Sequence, residues 1–337
     1  MNYKLSICIP TLNRGDYIDE TLTSIVSQLE DEVEIVIVDG GSTDNTEQVV
    51  NSYKEKYPNI RYIKKDSSKK EPSNEGFDRD CNLAVELAYG EYCWLMTDDD
   101  LLMQGAIKKV LLEARKKFAV MVTSVEIRNK DLTKILVNRR PTLVNDEIYQ
   151  PSELSEFATR IGSHVTFVGA VIIDRQLWLS RNREKYFGTG FVHVGVIFDE
   201  PVKKEVLVIA KPLVSIRFGN AQWSSRAFQI WMFNWPELIW SFQSISNEAK
   251  KTITLKEPWS NLKTLLAQRT LGNYSIREYE LFLSTRIASK RRLALTLVIA
   301  RLPRTLLLLL AYMYAWRKFS KNEVLLFNLN ASWYLDK

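Results

Sequence analysis

Apolar runs and amphipathic stretches alternate along the first 130 residues. Residues 5–10 form a short apolar run, and residues 17–29 then carry Ile18, Leu22, Ile25, Val26 and Leu29 at helical spacing. Residues 33–38 (Val-Glu-Ile-Val-Ile-Val) are rich in β-branched side chains and read as a buried strand. A helix over 44–57, a strand over 60–63 and a charged loop over 64–75 containing Pro72 follow. Next come a helix over 77–89 stopped by Gly90, a strand over 92–96 running into Thr97-Asp98-Asp99-Asp100, and a helix over 106–118. This alternation predicts an α/β fold, a mostly parallel sheet flanked by helices on both faces.

The second half is less regular. Residues 119–127 and 166–173 read as strands, 151–161 and 231–242 as helices. From residue 221 the chain turns Trp-rich (Trp223, Trp231, Trp235, Trp240, Trp259), and from residue 285 it is basic and apolar. The expected division is an α/β domain over 1–220 and a helical region over 221–337.

Charge sharpens that division. The 337 residues include 46 Lys and Arg against 40 Asp and Glu, a net +6. Nine basic residues and no acid fall between positions 281 and 322, and without them 37 oppose 40. A nucleic-acid binder would carry its basic footprint on a working face, so nucleic acid is not an expected partner. Cys8, Cys81 and Cys93 lack metal-ligand spacing and read as buried thiols in a reducing compartment. Met1-Asn2-Tyr3-Lys4 passes directly into a strand pattern, so a cytoplasmic location is expected.

Parallel α/β sheets bind ligands at the carboxyl ends of their strands, so the residues just past each strand carry the candidate chemistry. These are Pro10-Thr11-Leu12-Asn13-Arg14, Asp39-Gly40-Gly41-Ser42-Thr43-Asp44 and Asp98-Asp99-Asp100. No GxGxxG follows the first strand and no GxxxxGK[ST] occurs, which disfavours a dinucleotide fold and excludes a P-loop. Three adjacent carboxylates repel one another, and a hard divalent cation shared with a diphosphate relieves this. Acids at a helix N-terminus are the plainer reading, but their place directly after a buried strand favours the metal. Asp39 can accept hydrogen bonds from a base or ribose while Ser42, Thr43 or Asp44 caps the next helix.

Three blocks carry a family resemblance. Ile7-Cys8-Ile9-Pro10-Thr11-Leu12-Asn13-Arg14, Val36-Ile37-Val38-Asp39-Gly40-Gly41-Ser42-Thr43-Asp44 and Gly90-Glu91-Tyr92-Cys93-Trp94-Leu95-Met96-Thr97-Asp98-Asp99-Asp100 resemble family 2 glycosyltransferases of the GT-A fold. The resemblance implies that Pro10, Thr11, Asn13, Arg14, Asp39 and Ser42 line a nucleotide pocket. It makes the acidic run a DxD motif binding ribose and Mn2+ or Mg2+, with Asp99 at the usual metal-binding position, Asp100 or Asp98 beside it, and Asp98 among the nucleotide-sugar residues. Which of the three does what stays open. Many members have Asp where Thr97 and Gly40 stand here. Gly76-Phe77-Asp78-Arg79-Asp80-Cys81-Asn82 occupies the place of a Gly-x-x-x-Ala-Arg-Asn segment, with Cys81 for the usual Arg, so Arg79 and Asp80 join the expected pocket. Residues 216–226, including Arg217, Asn220 and Trp223, resemble an abequosyltransferase-like bacterial O-antigen branch. That branch implies sugar transfer onto a lipid-linked oligosaccharide, and the family resemblance implies inversion.

Where the family places an acid pair, this chain has Gly188-Thr189-Gly190-Phe191-Val192-His193-Val194-Gly195 and then Asp199-Glu200. His193 is expected as base or further metal ligand and Asp199 as a second catalytic group, against the plain alternative of a packed histidine. His164 reads as structural. In the tail, apolar runs over 293–300 and 305–316 are separated by Arg301-Leu302-Pro303-Arg304. A spanning helix needs about 20 apolar residues, so residues 285–321 are expected to lie on an anionic membrane surface, peripheral on the inner face of a bacterial cell membrane. The alternative is a bundle covering the domain or a second copy of the chain. A nucleotide-sugar pyrophosphorylase or a non-catalytic scaffold would share the sheet, but the first lacks its Gly-rich basic loop here and the second has no need of the acids.

Overall fold

The computed structural model describes residues 3–66 and 76–318. Strands β1 (Leu5–Thr11), β2 (Val33–Asp39), β3 (Ile60–Lys64) and β4 (Tyr92–Leu95) alternate with helices α1 (Gly15–Val26), α2 (Thr46–Lys54) and α3 (Gly76–Leu87). They form a parallel array in the order β3-β2-β1-β4. Every residue of β1, β2 and β4 is buried, as continuous apolar runs require when both faces of a sheet are covered. Of the expected loop over 64–75, residues 67–75 lie outside the described residues.

Beyond β4 the chain forms β5 (Leu101–Leu102), α4 (Ala106–Ala114), β6 (Val120–Asn129), β7 (Ile135–Arg140), β8 (Glu147–Tyr149), α5 (Leu154–Ile161), β9 (Val171–Asp174), α6 (Arg175–Ser180), α7 (Val192–Phe198) and β10 (Val206–Phe218). β9 runs antiparallel between β4 and β6, and β10 runs antiparallel to β5 and β8. The ten-stranded sheet is therefore mixed rather than mostly parallel. Antiparallel neighbours need no crossover helix, so the regular strand–helix rhythm stops where this half begins. The strand expected over 166–173 shrinks to Val171–Asp174, because the Gly169 carbonyl turns to accept the Trp94 indole N–H (2.8 Å).

β10 holds Lys211-Pro212 in mid-strand, a pair that disguises it in the sequence. The structure places Pro212 where β10 changes partner along one edge, from β8 at Val206–Val208 to β5 at Val214–Ser215. A missing N–H is tolerated there.

The chain divides into two compact units, Met1–Ile127, Asn138–Arg217 and Ser241–Ile253 forming one, and Arg128–Val137, Phe218–Trp240 and Thr254–Lys337 the other. Two segments, Arg128–Val137 and Ser241–Ile253, lie across any single division near residue 220. The second unit has an aromatic core in which Phe228 stacks on Tyr274 (4.9 Å between centroids) and Phe233 on Phe282 (5.3 Å). Phe233 and Phe282 each sit in a π-helical stretch, Ile230–Asn234 and Tyr279–Leu283, so the first part of the helix expected over 231–242 is wound wider than an α-helix. The tail forms helices Lys290–Arg301 and Arg304–Lys318, with an 85° bend across Pro303. Among the described residues no single helix is long and apolar enough to cross a membrane. Arg304 turns toward the last carbonyls of helix Leu262–Thr270, its Nε 3.4 Å from the Thr270 oxygen. Its charge therefore serves a helix C-terminus.

Candidate active site

The polar residues after β1 and β2 converge at the carboxyl edge of the parallel strands, where Thr11 and Asp39 are register partners. Two loops are tied together there. Asn13, in the left-handed region at φ 53°, donates its N–H to Ser42 Oγ (2.8 Å) and accepts the Thr43 N–H through Oδ1 (2.9 Å). The Arg14 N–H donates to Thr46 Oγ1 (3.0 Å), and the Gly15 N–H to Asp44 Oδ2 (3.1 Å). Asn13 and Ser42 thus hold the two loops together. Pro10 sits buried at the end of β1, opposite Val38.

Asp39 is fully buried, with Oδ1 accepting the Gly41 and Ser42 N–H groups (2.9 and 2.7 Å) and Oδ2 accepting the Tyr62 hydroxyl (2.6 Å). Burial and the Asp39 charge raise the Tyr62 phenol, which keeps it a donor. Tyr62 lies in β3 and escaped the sequence reading. Asp80 pairs with Lys65 (2.8 Å), and a Cβ on Gly40 would lie 2.9 Å from Asp80 Oδ2. The space that a second carboxylate at position 40 would need is therefore taken by Asp80. Arg79 is exposed, its guanidinium 4.9 Å from the centre of the Phe187 ring.

The acidic run is buried and its members differ. Asp100 accepts the Thr97 hydroxyl at Oδ2 (2.6 Å) and the Arg217 N–H at Oδ1 (2.8 Å). Asp98 and Asp99 face Arg14, with Nε 3.6 Å from Asp98 Oδ1 and Nη2 3.7 Å from Asp99 Oδ2. Arg217 donates from Nε to the Asp99 carbonyl (3.0 Å) and pairs with Glu20. The Arg14 and Arg217 guanidinium carbons lie 5.2 and 5.1 Å from the centre of the same Tyr17 ring. Burial, then the charge of Asp99, pushes Asp98 up to about 7 against the pull of Arg14, and Asp100 is raised well above the carboxylate range. A further cation at Asp98 and Asp99 would relieve that crowding. These two carboxylates suit a divalent ion that takes its other ligands from a diphosphate and water, whereas both Asp100 oxygens already have partners. Among the described residues no group of three or more His, Cys, Asp or Glu is placed to hold a metal by itself.

The expected reaction-centre residues are a correction. His193 is wholly buried in α7, with Nε2 on the Val165 carbonyl (2.8 Å), and burial lowers its pKa to about 4. It forms no metal-holding group with Asp99 and Asp100. His164 is arranged in the same way on the Thr123 carbonyl (2.9 Å), also with its pKa near 4. His193 is thus a packed histidine. Asp199 accepts the Tyr186 hydroxyl (2.7 Å) and pairs with Lys185. These partners outweigh burial and hold its pKa below the ordinary value, which suits an anchor better than a base. Asp78 was overlooked. It caps the start of α7 from α3, accepting the Gly190 and Val192 N–H groups (2.8 and 3.0 Å). Asn220 and Trp223 belong to the second unit, where Trp223 meets Trp231 edge-on (5.9 Å).

Residues 6–181 match the family model described as Glycosyl transferase family 2. The chain belongs to that family. This glycosyltransferase is 29% identical over 290 residues to Abequosyltransferase RfbV of Salmonella typhimurium, covering 80% of this chain and 85% of that one. It is 30% identical over 116 residues to the GalNAc(5)-diNAcBac-PP-undecaprenol beta-1,3-glucosyltransferase of Campylobacter jejuni, 34% of this chain and 36% of the other. Its fold is that of TarS residues 1–349 from Staphylococcus aureus, solved with UDP (TM-score 0.56, 15% identity, 99% of this chain and 92% of that one). A mannosyltransferase from Pyrobaculum calidifontis, solved with GDP-Man and Mn2+, shares the fold at TM-score 0.50 and 16% identity, over 100% of this chain and 88% of the other. The glycosyltransferase therefore has the GT-A fold that its three sequence blocks implied.

Proposed function

We propose that this glycosyltransferase moves a hexosyl or deoxyhexosyl group, with inversion, from a nucleoside-diphosphate sugar to a hydroxyl of a polyprenyl-diphosphate-linked oligosaccharide in bacterial O-antigen synthesis. The observation that carries the reading is the meeting of Asp98, Asp99 and Arg14 at the carboxyl edge of the parallel strands. A buried acid pair with an arginine across it suits a diphosphate and its metal. Asp98 and Asp99 would hold the Mn2+ or Mg2+, which supplies charge neutralisation to the leaving diphosphate when bound. Asp39, buried and fixed by three hydrogen bonds, would set the shape of the loop that meets the nucleoside. Arg14 contributes a phosphate contact. The acceptor follows from the likeness to the abequosyltransferase and to the undecaprenol-linked glucosyltransferase.

The tail supports a site of work on the inner face of the cell membrane. Helix Arg304–Lys318 exposes Leu306, Leu309, Leu310 and Met313, one face at i, i+3, i+4 and i+7. Helix Lys290–Arg301 exposes Leu295 and Val298 between exposed Arg291 and Arg301. Apolar faces bordered by arginine are the pattern of interfacial helices. Residues 319–321 of the expected surface lie outside the described residues.

Turnover of a panel of UDP-, GDP-, CDP- and dTDP-sugars, with an undecaprenyl-diphosphate oligosaccharide acceptor, tests the reading. Transfer with Mn2+ or Mg2+ and its loss in EDTA are expected. Full activity in EDTA would overturn the metal, and hydrolysis without any transfer would overturn the acceptor.

A further inference from the structure

We propose that Arg14 is an exchangeable counter-cation: it neutralises Asp98 and Asp99 in the ligand-free enzyme and passes to the donor diphosphate when a divalent ion takes those carboxylates. The inference rests on the metal reading above and adds a coupling between the two cations.

Three features support it. One guanidinium faces two carboxylates, through different nitrogens at 3.6 and 3.7 Å. Arg217 is directed elsewhere, with Nε on the Asp99 carbonyl and Nη2 on Glu20, while its own N–H fixes Asp100. It is a built-in part of the wall. The Arg14 backbone is pinned by Thr46 Oγ1 (3.0 Å) at the start of α1, while the guanidinium rests over Tyr17. A ring face attracts a cation over a range of positions, so this contact tolerates a shift of the head.

A monocation and a dication cannot both neutralise the same two carboxylates fully, so the binding of one weakens the other. A donor diphosphate reverses the balance, because its oxygens match the planar fork of arginine. Arg14 should therefore oppose the metal when it comes alone and favour it when it comes with a nucleoside diphosphate.

The test compares wild type, Arg14→Gln and Arg14→Lys. Mn2+ binding is read from loss of the free-ion electron paramagnetic resonance signal, first without nucleotide and then with UDP or GDP. Calorimetry gives nucleotide affinity at saturating Mn2+. Arg14→Gln should bind Mn2+ alone about tenfold more tightly than wild type, and the nucleotide with Mn2+ about tenfold more weakly. Arg14→Lys should fall between them in both measurements. If Arg14→Gln leaves Mn2+ binding alone unchanged, Arg14 is a phosphate contact only and the exchange is wrong. If it weakens both and lowers Tm, the pair is structural and the exchange is again wrong. If wild type binds UDP or GDP without retaining Mn2+, the metal reading fails and takes this inference with it.

Discussion

Single side chains in the acidic run divide the work. Asp99 faces Arg14, whereas Asp100 binds Thr97 and Arg217. Asp99→Asn should therefore abolish transfer, to less than one part in a hundred, while Tm stays within a few degrees of wild type. Asp100→Ala should do the reverse at first order. It orphans a buried N–H and a hydroxyl, which costs about 1–3 kcal/mol per unsatisfied group, and thermal unfolding should show the loss before activity does. His193→Gln keeps an N–H donor for the Val165 carbonyl and should retain turnover within severalfold; a hundredfold loss would return the histidine to the reaction. The two histidines also set an acid limit. Both have folded pKa values near 4, below the unfolded value of about 6.5. Their contribution to stability is complete above pH 6.5 and is lost as pH falls toward 4, by about 1.4 kcal/mol per pH unit for each. Denaturant unfolding at pH 7, 5.5 and 4.5 measures it, and replacing either histidine with glutamine should halve that part of the slope. The sequence reading reached Asp98, Asp99 and Arg14 because motif and strand end coincide. It missed Tyr17 and Tyr62, whose roles depend on neighbours brought in by folding, and it misread His193 because burial has no sign in a one-residue window.

Among elements, α3 has more to do than cover the sheet. Asp78 near its start caps α7, and Asn82 one turn later accepts from the Trp178 indole (3.0 Å) and from Arg183 Nε (2.8 Å). Asp78→Ala should cost about 0.5–2 kcal/mol, the range of a lost cap. Hydrogen exchange should then quicken at Gly190 and Val192 before it does in β1, and uniform loss of protection would mean that the cap has no local role. The parallel strands were legible because each is a continuous apolar run bounded by polar turns. Of the antiparallel half only β6 and part of β9 were legible, since β10 carries its Lys-Pro break where partners change and β5 has only two residues. Pairing of that kind is set by distant strands and leaves little local period.

At the scale of the molecule, seven of the nine basic residues of the tail and the exposed Leu295, Leu306, Leu309 and Leu310 fall on the same two helices. Leu309→Glu with Leu310→Glu should release the protein from vesicles of phosphatidylglycerol and leave nucleotide binding intact. Raised salt should weaken the wild-type attachment, because exposed charges are screened. Retained vesicle binding by the double variant would move the contact elsewhere, and a wild-type dimer that ignores vesicles would give the exposed face to a second copy. The layout of the chain has another consequence, for ancestry and for engineering. Helix Asn247–Ile253 belongs to the first unit, with Ala249 and Lys250 buried and Ile253 set against Gly162, although the segments on either side of it belong to the second. The polypeptide crosses between the units five times. A gene crossover at residue 220 would strip that helix from the sheet unit, and one proteolytic nick would not part the two. A swap between relatives would have to carry all the interleaved segments of a unit together to keep that unit whole.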